Sequence, residues 1–274
     1  MMKEMIEEVK AILGRDYTVE TKQVEKANDI TLTAFVIHDI KATRLIEPTV
    51  YYKNGMTPQD IVDKYKEGLE QSKIMDMDVN KLGSREYILS NVIPILYNSV
   101  KSANILADAV HVHVANLVIA FRVVVDDDPS GVSTYLVKTG MLDHAGITEQ
   151  ELYDAAMENI QGKGELYDIR DAILGWGNQV TEDDDPMIIC ITSNNKHYGA
   201  SMIFDKAIRD RLDRIYSEYY LLPSSLHEML AVPRNKMDVD SLINMVREVN
   251  ATEVAPSDFL SDDVYVYEDR LKVA

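Results

Sequence analysis

Two serines, a histidine and a glutamate lie close together in the segment LLPSSLHEML at 221–230. Ser224, Ser225, His227 and Glu228 are the side-chain types of a hydrolase with a nucleophile, a base and an acid. The three members of such a triad usually come from distant parts of a chain, because neighbouring side chains diverge. No G-x-S-x-G elbow surrounds these serines. A hydrolase that uses Ser225 or Ser224 with His227 and Glu228 is therefore an alternative interpretation.

Two structural interpretations explain the same segment. Ser225 and Glu228 fit the S-x-x-E pattern of a helix start, and Pro233 would end such a helix after two turns at most. In the other, residues 227–232 form a strand that is entered through the Pro-Ser-Ser turn. Both use the polar side chains to satisfy the backbone, and we favour them over catalysis.

Two histidines in the HVHV segment are weak candidates for metal ligands. His111 and His113 would share one face of a strand, with His144 or the aspartates at 126–128 as further ligands. Nothing in the spacing forces these groups to converge. The sequence also lacks the phosphate-binding pattern G-x-x-x-x-G-K-[ST] and the dinucleotide-binding pattern G-x-G-x-x-G. We therefore predict no metal and no cofactor.

The single cysteine, Cys190, could form a thiol nucleophile with His197. It lies, however, inside the apolar run MIICIT, where burial raises a thiol pKa and blocks access. We expect an inert core residue. A lone cysteine also excludes an internal disulfide and fits a reducing compartment.

Acidic residues dominate the charge. The chain carries 46 Asp and Glu against 28 Lys and Arg, a net charge of -18, and residues 126–185 hold fifteen of the acids and three of the bases. Such a field repels phosphate backbones, so we expect no direct nucleic-acid binding, and it suits a basic protein partner. Solubility is the simpler explanation. The predicted interaction surface consists of Asp126, Asp127, Asp128, Asp183, Asp184 and Asp185.

The sequence gives no sign of a membrane segment. The longest apolar run, VANLVIAFRVVV at 114–125, is interrupted by Asn116 and Arg122 and is shorter than the roughly 20 residues that a spanning helix needs. The first residues carry acids and do not resemble a secretion signal. We therefore expect a cytoplasmic protein.

Helix starts are the clearest local signals. Thr57 before Pro58, Thr148 with Glu151, Asp205 and Asp238 each predict a capped start, and residues 2–13 predict a helix that ends at Gly14. Asn250 suits the left-handed end of the last helix.

Pairs of β-branched or aromatic runs precede the four later helices. They lie at 30–38 and 43–52, 117–126 and 132–140, 187–193 and 198–204, and 219–223 and 227–233. We predict the α+β class, with mixed, mainly antiparallel sheets built from about four strand-strand-helix units and helices packed on one face.

The most loop-like segment is 161–186, which holds several glycines and an acidic run. We predict an N-terminal α+β region at 1–160, an acidic loop or linker at 161–186 and a C-terminal α+β region at 187–274. In the alternative, the two regions form one continuous domain, and a long surface loop with a short helix around 166–174 replaces the linker.

Several segments carry a resemblance to a known family: EPTVYY, ITSNNKHYGASMIF, YYLLPSSLHEMLAVP and MVREVNATEVAPSDFLSDDVYVYE. They resemble an uncharacterised domain-of-unknown-function family of cytoplasmic proteins from gut clostridia and related Firmicutes, distantly similar to the YtpQ type. The resemblance implies a common fold and no assigned activity. Such family members are similar to cargo of mobile elements. A second alternative is therefore an acidic protein that imitates DNA and acts as a decoy for a nucleic-acid-binding protein.

The main functional prediction is a module for binding or protein interaction that does no catalysis. The acidic stretch at 126–185 is its predicted contact surface. The sequence leaves the ligand and the oligomeric state open.

Overall fold

The computed structural model describes residues 2–42, 48–71, 79–128, 131–175 and 177–274. Within these residues the chain forms ten α-helices and thirteen strands in three mainly antiparallel sheets. The predicted α+β class is confirmed. Contacts divide the chain into two compact units, one of residues 1–26 and 30–82 and one of residues 27–29 and 83–274.

The first unit packs helices on a three-stranded antiparallel sheet of order β1-β2-β3. Its buried core contains Phe35, Ile37, Ile61 and Tyr65. Gly14 ends the first helix at a φ of 96°, a conformation that glycine adopts without strain. The elements are α1 (Met2–Leu13), β1 (Tyr17–Glu25), β2 (Thr31–Asp39), β3 (Thr49–Tyr51), α2 (Pro58–Gln71) and α3 (Val79–Leu82).

The second unit begins with a four-stranded antiparallel sheet that is built around one long strand, β6. Strand β4 pairs with one edge of β6, and β5 and β7 follow each other along the other edge. A bulge lies between Val124 and Asp126. The elements are α4 (Arg85–Asn91), β4 (Val92–Asn98), α5 (Ala103–Leu106), β5 (His111–Val114), β6 (Leu117–Asp128), β7 (Gly131–Leu136), α6 (Thr139–Ala145) and α7 (Glu149–Asn159).

A six-stranded antiparallel sheet of order β13-β12-β10-β11-β9-β8 completes this unit. One face shares a buried core with the first sheet of the unit through residues such as Ile191, Leu221 and Met229. The opposite face packs Leu222 and Val232 against the last helix. The elements are β8 (Gly164–Asp168), α8 (Ile169–Leu174), β9 (Ile189–Ser193), a 3-10 helix (Gly199–Phe204), α9 (Lys206–Tyr216), β10 (Tyr219–Ser225), β11 (Glu228–Pro233), α10 (Val239–Thr252), β12 (Tyr265–Tyr267) and β13 (Leu271–Val273).

None of the helices that the structure describes has the length and apolar composition needed to cross a lipid bilayer.

The predicted helix starts are confirmed at α2, α7, α9 and α10. Two predicted details are wrong. Residues 199–204 form a 3-10 helix instead of a strand. Helix α10 continues past Asn250, because the Asn250 amide donates to the Ser261 carbonyl and the Asp262 carboxylate at 2.9 Å instead of ending the helix. Part of the predicted strand at 43–52 lies outside the described residues, and β3 begins at Thr49.

The predicted linker at 161–186 contains regular structure. Strand β8 pairs with β9 over its whole length, and α8 follows it directly. The contact-based division of the chain falls after residue 82. The three-part domain division stays a prediction.

The capping pair of α7 gives a test of the fold. The backbone amide of Glu151 donates to Thr148 Oγ1 at 3.2 Å, and the Thr148 amide donates to the Glu151 carboxylate at 2.9 Å. The hydrogen bond from Arg85 is the main cause that lowers the pKa of Glu151 to about 2, and the hydrogen bonds from Thr148 add to this effect. We expect Thr148→Ala to lower the free energy of unfolding by about 1 kcal/mol, measured by urea denaturation.

Thr252→Ala is the matched control, because among the described residues the Thr252 hydroxyl donates to the Glu248 carbonyl of its own helix and to no other group. Such back-bonding does not stabilise a helix, so this change should leave stability within about 0.5 kcal/mol. Equal losses in the two variants would contradict the capping role of Thr148.

Candidate functional site

The candidate site is built around residues Ser193–Gly199, which we call the 193–199 loop. It connects β9 to the 3-10 helix. Lys196 and Tyr198 adopt left-handed backbone conformations, with φ of 62° and 54°. Such a conformation costs a non-glycine residue roughly 1–3 kcal/mol, so the surrounding contacts must hold the loop in place.

Four of the loop's backbone amides donate to acceptors inside the protein. The amides of Asn194 and Lys196 donate to the carbonyls of Lys163 and Ser193 at 3.0 Å. The His197 amide donates to Ser193 Oγ at 3.1 Å, and the Tyr198 amide donates to His227 Nδ1 at 3.2 Å. Because these four donors are occupied, they do not form an anion-binding nest.

Gly199 clamps the loop to the turn of the β10–β11 hairpin. A Cβ at this position would lie 2.4 Å from the Ser193 nitrogen and 2.5 Å from the His227 carbonyl oxygen and from Thr192 Cα. The Thr192 hydroxyl also donates to the His227 carbonyl at 3.0 Å. No side chain fits between these three backbone segments, so glycine is required.

His227 supports the loop from the hairpin turn. Its ring stacks on Tyr198 and meets His197 edge to face, with centroids 5.7 Å apart in both cases. Burial lowers the pKa of His227, although the Asp258 carboxylate opposes this effect. Because Nδ1 accepts the Tyr198 amide, the neutral ring carries its proton on Nε2.

The hydrolase candidates Ser224, Ser225 and Glu228 flank this turn. The predicted strand is confirmed as β11, and the predicted helix start is wrong. Ser225 Oγ accepts the His227 backbone amide at 3.0 Å. In this tautomer His227 has no free nitrogen that can take a proton from a serine. Burial raises the pKa of Glu228. Catalysis by these residues stays a prediction that no described contact supports.

The metal candidates His111 and His113 lie on β5, on one face as expected. Their rings meet edge to face with centroids 5.6 Å apart, and His111 Nδ1 lies 2.9 Å from the Ala109 carbonyl. Among the described residues, no three His, Cys, Asp or Glu side chains come together to hold a metal. His144 lies on α6.

Cys190 is fully buried on β9. Burial raises the pKa of its thiol far above the usual value, with the Glu228 carboxylate adding to the effect. A thiol of this kind is a poor nucleophile at neutral pH.

The two predicted acidic runs contact different elements. Asp126 and Asp127 lie near the end of β6, and Asn195 of the loop donates to Asp127 Oδ2 at 2.8 Å. Asp184 accepts the amide and hydroxyl of Thr181 at 2.7 and 2.8 Å, which lowers its pKa. Asp183 and Asp185 are exposed. Of Asp128 the structure describes the backbone, at the end of β6.

A cavity of about 250 Å³ lies against the 193–199 loop. His197 and Tyr198 line it, whereas His227 does not. Outside the loop, its polar lining comes from Ser90, Asn91, Asp127, Asn159 and Lys163, and its apolar lining comes from Ile93, Val124, Ile160 and Met202. The cavity therefore gathers residues from α4, β4, β6, α7 and the turn before β8.

A family model matches residues 1–269. The chain belongs to the family of unknown function DUF5688. Curated proteins and solved structures gave no match. The predicted membership of a family of unknown function is thus confirmed, and the likeness to the YtpQ type stays a prediction.

Sequence reasoning missed most of the cavity residues. Asp127 was predicted, although as part of a protein-contact surface. Ser90, Asn159 and Lys163 lie on three separate segments and share no motif. The polar run SNN at 193–195, which follows an apolar strand and is followed shortly by Gly199, is the sequence signal that indicates a loop at this place.

Substitution of Gly199 tests the clamp. Gly199→Ala must push apart backbone atoms that cannot yield, so we expect a loss of about 3 kcal/mol or more in the free energy of unfolding. The control is Gly140→Ala in α6, where an added Cβ meets nothing within 4 Å. It should be neutral or stabilise by roughly 0.5–1 kcal/mol. Urea denaturation of both variants measures the difference, and a tolerated Gly199→Ala would contradict the clamp.

The lowered pKa of His227 predicts a pH effect. The ordinary pKa of histidine is 6.5, and the pKa of His227 in the folded protein lies below it. At pH values between these two pKa values the unfolded chain binds a proton that the folded protein does not bind, so stability decreases as the pH falls from 6.5. His227→Asn places an amide oxygen close to the position of Nδ1, so it keeps an acceptor for the Tyr198 amide and cannot titrate. We expect the free energy of unfolding to decline less steeply in this variant between about pH 7 and about pH 5. Parallel pH profiles would contradict a neutral, buried His227.

Proposed function

We propose that this protein is a binding module without catalysis, and that the cavity against the 193–199 loop holds a small polar ligand. The supporting observation is a loop with two left-handed non-glycine residues that is locked on one side by Gly199 and His227 and lines a cavity on the other. Strained backbone of this kind clusters at ligand sites.

The size of the cavity limits the ligand. Its volume of about 250 Å³ lies just below the roughly 300 Å³ at which the usual range of ligand pockets begins. The ligand is therefore smaller than most cofactors. The mixed lining fits a molecule with both polar groups and an apolar part.

The hydrogen bonds of the polar side chains near the cavity favour a role in ligand binding over a role in catalysis. His227 Nδ1 accepts a backbone amide, and Ser225 Oγ accepts another. Among the described residues, no contact supports hydrolysis by these side chains, and none supports imitation of DNA. A basic partner at the exposed Asp183 and Asp185 remains a separate proposal, based on their charge.

Methyl NMR tests the proposed site. With methionine methyl groups labelled, a set of amino acids, nucleosides, sugars and small organic acids is titrated into the protein. At least one compound should shift the Met202 resonance with a Kd below about 1 mM. Ser90→Trp, which places a bulky ring at the cavity, should abolish the shift.

Asn104→Trp is the control, because Asn104 is an exposed helical residue that does not line the cavity. It should bind like the original protein. The proposal fails if no compound shifts Met202, or if Ser90→Trp leaves binding unchanged.

A further inference from the structure

The cavity presents one charge of each sign. Asp127 and Lys163 both line it, yet no ion pair between them occurs among the contacts of the described residues. In the part of the chain that the structure describes, the Lys163 ammonium has no hydrogen-bond or ion-pair partner. A ligand can therefore meet a free cation and a carboxylate in the same space.

Asp127 is held in position by the loop. Asn195 Nδ2 donates to Asp127 Oδ2 at 2.8 Å. Asn195 Oδ1 in turn accepts the Ser193 hydroxyl at 2.7 Å and the His197 amide at 3.0 Å. Because this network fixes the Asn195 side chain, it also orients the carboxylate that the amide group contacts.

The backbone of Lys163 is held by Asn194, the loop residue next to Asn195. Its carbonyl accepts the Asn194 amide at 3.0 Å, and its own amide donates to the Ile160 carbonyl at 3.1 Å. Adjacent residues of one loop thus fix the backbone of Lys163 and the carboxylate of Asp127. The 193–199 loop therefore contacts both the carboxylate of Asp127 and the backbone from which the Lys163 side chain extends.

The rest of the lining excludes simple ions. An anion would find four of the loop amides already occupied and would face Asp127. A cation would face Lys163. The apolar side chains of Ile93, Val124, Ile160 and Met202 favour a ligand that also carries a hydrocarbon group.

We propose that the cavity binds a small zwitterion with an apolar side group, the chemical class of a free α-amino acid. The ligand's ammonium group lies against Asp127, its carboxylate against Lys163 and its side chain on the apolar lining. This inference rests on the proposed function, since it names the ligand class of the same cavity.

Three related probes test the proposal by isothermal titration calorimetry: L-leucine, N-acetyl-L-leucine, which lacks the ammonium, and L-leucinamide, which lacks the carboxylate. L-leucine should bind at least about tenfold more tightly than either derivative. Asp127→Asn should remove the preference over N-acetyl-L-leucine, and Lys163→Met should remove the preference over L-leucinamide.

Asp183→Asn and Lys236→Met are matched controls at exposed positions outside the cavity, and both should keep all preferences. The zwitterion inference is overturned if a derivative binds as tightly as L-leucine, or if only a compound of another class shifts Met202. In those cases the proposed function still holds if Ser90→Trp abolishes the binding of the compound that shifts Met202. If no compound shifts Met202, both proposals fail.

Discussion

The second unit depends on one close approach of three backbone segments. Gly199 lies against Thr192 and Ser193 at the end of β9 and against the His227 carbonyl in the β10–β11 turn. Close-packed interiors tolerate no added atom at such a point. The contact sets the direction in which the chain leaves β9, and it determines where the 193–199 loop lies. The cavity follows from that loop position.

The hydrogen bonds of the hairpin turn explain why polar residues of a catalytic type gather there. The His227 ring accepts a backbone amide from the loop, and Ser225 accepts the backbone amide of His227 itself. A buried donor without an acceptor costs roughly 1–3 kcal/mol, so these side chains stabilise a turn that lacks regular pairing. Burial lowers the pKa of His227, and the bond from the Tyr198 amide occupies the ring nitrogen that carries no proton.

The sequence predicted elements whose signals are local. Caps such as Thr148 and Asp205 act within one turn of helix, and the strand patterns at β2, β6, β10 and β11 follow from side-chain type. The 3-10 helix at 199–204 was missed, because its apolar run resembles a strand and its conformation depends on the contact between Gly199 and the distant His227. The cavity was missed for the same reason. Lys163 and Asp127 line the same cavity although they lie on segments far apart in the sequence, and no short spacing predicts this.

Several acids of residues 126–185 have local partners in the structure. Most of these contacts cap a helix or turn, or pair with a nearby base, and they lie on different elements: Glu151 with Arg85, Asp168 with Arg170, Glu182 with Arg214, and Asp184 with Thr181. Exposed pairs of this kind contribute little to stability. Asp127 differs from the acids that pair with a base, because it accepts a neutral side-chain amide of a structured loop and shares a cavity with Lys163, for which the described residues provide no partner. A charge that is positioned by neutral groups keeps its attraction for a ligand. Acid density along the sequence is therefore a poorer guide to this site than the partner of each carboxylate.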